Sequence, residues 1–200
     1  VSTTTTIQPE ADRELISKIL KRDPHAFKKL IVDHEKLVAH FVYKMIPVAA
    51  DRRDIIQDVY IKVYNNLGHF RFQSKLSTWI GQITYNTCLH YLRKKRPLLL
   101  ASFFEESDLS YVDYKIAHAS ANATEEGLYA RELTETIAQA VKQLPALYQT
   151  LIGLHYQQEL SLQEISEITQ LPEGTIKSYL FRARKQLKDI LLKSQKREEL

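Results

Sequence analysis

Residues 160–191 read LSLQEISEITQLPEGTIKSYLFRARKQLKDIL, and this stretch restricts the fold more than any other. Ser161 followed three residues later by Glu164 is a capping box: hydroxyl and carboxylate each satisfy a backbone N–H left open where a helix starts. Leu162, Ile165 and Ile168 recur at helical spacing, which predicts a short amphipathic helix. The chain must then turn within TQLPEG. Leu171 plugs the turn, Pro172 and Glu173 start the next helix, and Gly174 is expected to permit close helix packing. Ile176, Leu180 and Leu187 face inward. Two helices joined by so short a turn predict a helix-turn-helix.

The outward face of the second helix carries Thr175, Lys177, Ser178, Phe181, Arg182 and Arg184. Such a helix fits the major groove of DNA with its N-terminal half against base edges. Lys and Arg reach guanine acceptors, Ser donates or accepts, and Phe touches a thymine methyl. A solvated basic face is the plain alternative. The capping box, the tight turn and the small-polar-plus-basic face together favour DNA.

Elsewhere the chain also reads as helix. Five Gly and six Pro in 200 residues are too few for a turn-rich β architecture. Residues 1–9 read as a disordered tail. Leu15, Ile16, Ile19 and Leu20 form one face of a first helix. Asp23 is expected to cap a second helix with Pro24 in its first turn, and Phe27, Leu30, Ile31, His34, Leu37, Val38, Phe41 and Met45 form its stripe. Pro47 breaks that helix. A third runs from about Asp51 and ends at Gly68, and a fourth runs from about Ser77 to Arg96, stopped by Pro97. Residues 98–123 show no sustained period and read as a flexible acidic linker. A second helical block occupies 124–200, with a new helix after Pro145. The expected fold is all-α: one helical domain over 10–97, a tether, and a helix-turn-helix domain over 124–200.

The net charge of +4 conceals an asymmetry. Between Val59 and Phe104 there are seven Lys or Arg and no acid, while residues 97–126 hold six acids and one Lys. Phe70 to Arg96 adds five aromatic rings to six of those cations. A segment that keeps only positive charge suits a polyanionic partner. Cys88 is the single cysteine, so neither an internal disulfide nor a CxxC site is possible, which fits a reducing cytosol. The first ten residues lack the basic and apolar parts of a signal peptide, and no apolar run reaches membrane-spanning length. His34 and His40 are six apart, which does not put them on one helical face. No metal-ligand spacing, phosphate loop or nucleophile elbow occurs. No cofactor, metal or catalytic residue is expected.

Both halves resemble one family. LSLQEISEITQLPEGTIKSYLFRARKQL is similar to region 4 of bacterial RNA polymerase sigma factors of the extracytoplasmic-function (ECF) group, whose pattern is LSxxEIAxxLxxxxGTVKSRLxRARxxL. DRRDIIQDVYIKVYNNLGHF and KLSTWIGQITYNTCLHYLRKKR resemble that group's region 2. The resemblance implies a chain without catalytic activity of its own. It would bind the clamp and flap of core RNA polymerase, read a −35 element with region 4, melt a −10 element with region 2, and be held by an anti-sigma factor.

Carried onto this chain, the resemblance places Asn66, Phe70, Lys75, Ser77, Ile83 and Asn86 at the unpaired −10 strand. Arg93, Lys94, Lys95, Arg96 and Arg184 would meet phosphates. Thr175, Lys177, Ser178, Phe181 and Arg182 would read the −35 major groove, and Asp54, Gln57, Asp58 and Ile61 would dock on the polymerase. Flipping a base costs at least a few kcal/mol. Stacking on aromatic rings offsets about 1–3 kcal/mol per base, and an acid in the groove would repel phosphate. Trp79 is expected to pack in the core, whereas Tyr85 and Tyr91 fit stacking or packing equally. Glu159 stands where relatives commonly have Gly, Tyr179 where a basic residue is common, and His90 where an acid is common. The rival reading is a stand-alone regulator that binds duplex DNA without polymerase. A protein that merely titrates polymerase is a second rival. Neither opens a promoter.

Overall fold

The computed structural model describes residues 9–95, 103 and 125–198, with side chains described over 10–94, 103 and 134–193. Among these residues every regular element is helical. The N-terminal helices are α1 (Pro9–Leu20), α2 (Pro24–Met45), α3 (Ala49–Asn66), followed by a 3-10 turn (Leu67–His69), and α4 (Leu76–Lys95). The C-terminal ones are α5 (Glu125–Lys142), α6 (Ala146–Ile152), continued by a π-helical turn (Gly153–Gln157), α7 (Leu162–Thr169) and α8 (Glu173–Glu198).

Local chemistry sets the ends of these helices. Asp23 Oδ1 accepts from the backbone N–H of His25 (2.9 Å) and Ala26 (3.4 Å), so the expected cap of α2 is present. Pro47 ends α2, and Arg52 secures the corner that follows. Its Nε donates to the Ile46 carbonyl (2.8 Å), and its guanidinium lies 5.0 Å from the centre of the Tyr43 ring. That pairing explains why an arginine stands only 9% exposed. The α7 capping box is complete: Ser161 Oγ accepts from Glu164 N–H (3.2 Å), and Glu164 Oε2 accepts from Ser161 N–H (2.8 Å).

α2 is the central strut. Leu30, Val38, Phe41 and Val42 are fully enclosed by α1, α3 and α4. Leu20, expected on the buried face of α1, is instead exposed at the helix end. In the C-terminal domain Leu151, Leu154, Ile165, Ile168, Ile176 and Ala183 form the centre. Gly174 is not a packing glycine: a Cβ there would meet open space. Close approach is needed at two other glycines, Gly81 on α4 and Gly153 after α6. Both lie where one domain meets the other.

The two domains pack together. α2 lies against α6, α4 lies against α7, and the buried apolar side chains of both form one continuous cluster. The expected linker lies outside the described residues except for Phe103, which is buried in that cluster.

Candidate nucleic-acid interface

Between α3 and α4 lies an open depression of about 290 Å3, lined by Lys62, Asn66, Ile83, Asn86, Thr87 and His90. The spacing explains the lining. Residues 62 and 66 are one turn apart on α3, and 83, 86, 87 and 90 are on one face of α4. Lys62 Nζ bridges the rim, donating to Thr87 Oγ1 (3.2 Å) and pairing with Asp58 Oδ2 (3.2 Å). Thr87 in turn donates to the Ile83 carbonyl (2.7 Å). Asn66 Nδ2 donates to the Lys62 carbonyl (2.8 Å), which leaves its Oδ1 as an acceptor. Asn86 is exposed, so its carboxamide can offer a donor and an acceptor together. The site therefore has an apolar wall, Ile83, and convergent polar groups, as a small planar ligand requires.

Of the residues expected at the −10 strand, the structure brings Asn66, Ile83 and Asn86 together here. It does not bring Phe70, Lys75 or Ser77. Phe70 is only 8% exposed, with its ring packed against Phe72 (4.8 Å) and Trp79 (5.2 Å). Ser77 is half-buried, and Lys75 is turned to Glu164 of α7, 2.8 Å away. Trp79 packs against the core as expected. Tyr85 and Tyr91 prove to be packing residues too. Tyr85 is buried near Phe41, and Tyr91 Oη donates to Asp51 Oδ2 (2.5 Å). Burial pushes the Tyr85 phenol up to about 12.

Lys62, Thr87 and His90 were not expected in the site. Their signal was available: each lies one helical turn from a residue that was. Arg93 and Lys94 are exposed at the end of α4. The side chains of Lys95 and Arg96 lie outside the described residues.

Beside the depression on α3, Asp54, Gln57, Asp58 and Ile61 are all exposed at i, i+3, i+4 and i+7. Ile61 stands 58% exposed, an apolar centre with carboxylates beside it. On α8, Lys177, Ser178, Phe181, Arg182 and Arg184 are exposed, with Phe181 at 64%. Thr175 is half-buried, so it sits at the edge of this face. Ser178 Oγ donates to the Gly174 carbonyl (2.9 Å), and Arg184 Nη1 donates to Tyr156 Oη (3.4 Å). Tyr179, the departure from a basic residue, is half-buried with its ring 5.9 Å from Tyr148, so it joins α8 to α6. Among the described residues no His, Cys, Asp and Glu cluster could hold a metal ion, and no helix is long and apolar enough to cross a membrane.

Residues 30–97 match sigma-70 region 2, and residues 134–187 match sigma-70 region 4. The chain belongs to the ECF RNA polymerase sigma factors. It is 31% identical over 186 residues to the ECF RNA polymerase sigma factor SigW of Bacillus subtilis, spanning 89% of this chain and 97% of that protein. With the ECF RNA polymerase sigma-E factor of Escherichia coli it shares 30% over 173 residues, 86% of this chain and 90% of the relative. Among solved structures it resembles the sigma factor RpoE of Bartonella quintana, which was solved in complex with the anti-sigma factor NepR. That likeness has a TM-score of 0.60 at 22% identity, covering 87% of this chain and 97% of that one. CnrH, solved with the cytosolic domain of CnrY, matches with a TM-score of 0.58 at 19% identity over 90% and 97%. The exposed basic face of α8 (175–184) and the α3–α4 depression thus lie within the two matched segments.

Proposed function

We propose that this sigma factor docks on core RNA polymerase through Asp54, Gln57, Asp58 and Ile61, reads a −35 element with α8, and opens the −10 element at the α3–α4 depression. The depression carries the reading. It presents Asn86, Asn66 and His90 around an apolar wall, on a segment whose own sequence contains no acid. A base leaving the stack gains hydrogen bonds to its edge there, and Arg93 and Lys94 follow the backbone. The functional units are residues 10–97 for polymerase binding and melting, 98–123 as tether, and 124–200 for −35 recognition. The phosphodiester chemistry belongs to the polymerase, in the bacterial cytoplasm. An anti-sigma factor is the expected antagonist.

The test is open-complex formation. Wild-type protein added to core polymerase should make thymines near −10 reactive to permanganate on a cognate promoter. Asn86→Ala should lower that signal about 10-fold or more, as expected for a lost bidentate contact of about 1–3 kcal/mol, with core binding unchanged. Equal loss of both would assign Asn86 a folding role. A duplex site bound tightly without polymerase would favour the stand-alone regulator.

A further inference from the structure

α3 passes into α4 through the 3-10 turn Leu67–His69 and a loop over residues 70–75. This connection joins the two helices that border the depression. α1 lies against it: a Cβ on Gly68 would meet Leu20 Cδ2 at 3.7 Å, an ordinary packing distance. Exposure alternates along the start of the loop. Phe70 is buried and Phe72 half-buried, whereas Arg71 and Gln73 stand exposed. Phe72 adopts φ 56°, in the left-handed region that a bulky residue enters only under constraint. Phenylalanine has no local preference for that conformation, so its surroundings must hold it.

Two contacts do so. The Phe72 ring packs on Phe70, 4.8 Å between centres, and Phe70 packs on Trp79 at 5.2 Å. Trp79 lies on α4 one turn before Ile83, the apolar wall of the depression. The second contact comes from α1, whose Arg13 guanidinium lies 4.8 Å from the centre of the Phe72 ring. A cation over a ring is held by the negative face of the π system. Its strength is comparable to the cost of one left-handed residue, so losing it is enough to release the loop. A line of packed groups thus runs from Arg13 through Phe72 and Phe70 to Trp79. The plain alternative, an arginine that is merely solvated, leaves the strain at Phe72 with only half of its restraint.

We infer that Arg13 is a positioning residue for promoter opening: through Phe72 it holds loop 70–75 in the strained form that displays Arg71 and Gln73 beside the depression. The inference rests on the promoter-opening function proposed above. The displayed groups suit an unpaired strand. Arg71 donates to a phosphate or to a base acceptor, and the Gln73 carboxamide offers a donor and an acceptor together. Both belong to the segment that contains no acid. A loop already held in its binding form loses less conformational freedom when the strand arrives. Arg13 acts through the loop, from a helix that contributes no residue to the lining of the depression.

Arg13→Met keeps the aliphatic stem and removes the cation, Arg13→Lys keeps a cation, and Phe72→Leu keeps apolar bulk without a π face. Trp79, the sole tryptophan, reports on the ring cluster from within. In free protein, acrylamide quenching of Trp79 should rise in R13M and F72L and stay near wild type in R13K. With core polymerase on a cognate promoter, R13M should lower permanganate reactivity of the −10 thymines about 3-fold, the size of one exposed cation–π contact, at unchanged core affinity. R13K should restore most of that loss. R13M/F72L should be no worse than the weaker single variant, because both remove the same contact. R13M should add nothing in an R71A/Q73A background, where the displayed groups are gone. Full opening by R13M overturns the inference, and so does a loss that R13K fails to restore or that adds in full to R71A/Q73A. An equal fall in core affinity makes Arg13 a folding residue and overturns it too. If circular dichroism shows F72L unfolded, R13M against R13K decides alone. Wild-type protein that opens no promoter would sink the functional reading instead, and Trp79 quenching in free R13M would still judge whether Arg13 holds the loop.

Discussion

Helices α4 and α8 both carry basic residues proposed to meet DNA, but they stand differently in the molecule. α8 shows solvent a face that local sequence already defines: Ile176, Leu180 and Ala183 go in, and Lys177, Phe181 and Arg182 stay out. α4 is enclosed on several sides. One face, Ile83, Asn86 and His90, borders the depression, while Lys75 and Gly81 meet α7 and Tyr85 and Tyr91 fill the core. A helix at the edge of a domain can be read from its own period. A helix between two domains divides its residues according to neighbours it cannot name.

The sharpest way to break this contrast is Ile168→Ala. Ile168 is fully buried in the helix-turn-helix and also touches Gly81. Its truncation should cost about 2–5 kcal/mol. The sole tryptophan, Trp79, lies in the other domain. Urea unfolding followed by Trp79 fluorescence should shift if the packed domains melt as one unit. An unmoved Trp79 transition would mean that they unfold apart.

Acid probes the same contact. Burial, countered by the Thr150 carbonyl and reinforced by Lys44, lowers the His40 imidazole to about 4. Unfolding restores a pKa near 6.5, so the unfolded form takes up a proton first. Stability should be intact above pH 6.5 and fall, by on the order of 3 kcal/mol in all, as pH drops toward 4. Urea unfolding measured across this pH range should show this slope, and His40→Gln should flatten it.

Arg182→Ala tests α8. Loss of a base contact should cost about 1–3 kcal/mol of discrimination, read as relaxed promoter choice in run-off transcription across variant −35 elements, with core binding retained. Uniform loss on every promoter would make Arg182 a phosphate contact.

The smallest effect belongs to Glu159. It adopts φ 53°, a left-handed conformation that costs a non-glycine residue about 1 kcal/mol. Glycine would adopt this geometry without steric cost. Glu159→Gly should stabilise by roughly 0.5–1 kcal/mol in chemical denaturation, and leave promoter choice untouched.

Much of this was legible in advance. The caps at Asp23 and Ser161, the breaks at Pro47 and Pro145, and the exposed rows on α3 and α8 all follow from groups within a turn or two of one another. Local hydrogen bonding and helical period fixed them. Phe70 shows the converse. Aromatic rings suit base stacking and core packing equally, and only the neighbours Phe72 and Trp79 decide. Gly174 and Gly81 make the same point in opposite directions, since a glycine reports close packing only when something is close.

Amino-acid order alone determined an all-α fold, the exposed basic face of α8, the polar row on α3 and a segment free of its own acids. Only the tertiary structure decided that a distant acid reaches Lys75, when Glu164 arrives from α7 beside it. The physical reason is distance along the chain: periodicity and capping act over a few residues, whereas burial and charge pairing act between groups that the fold alone brings together.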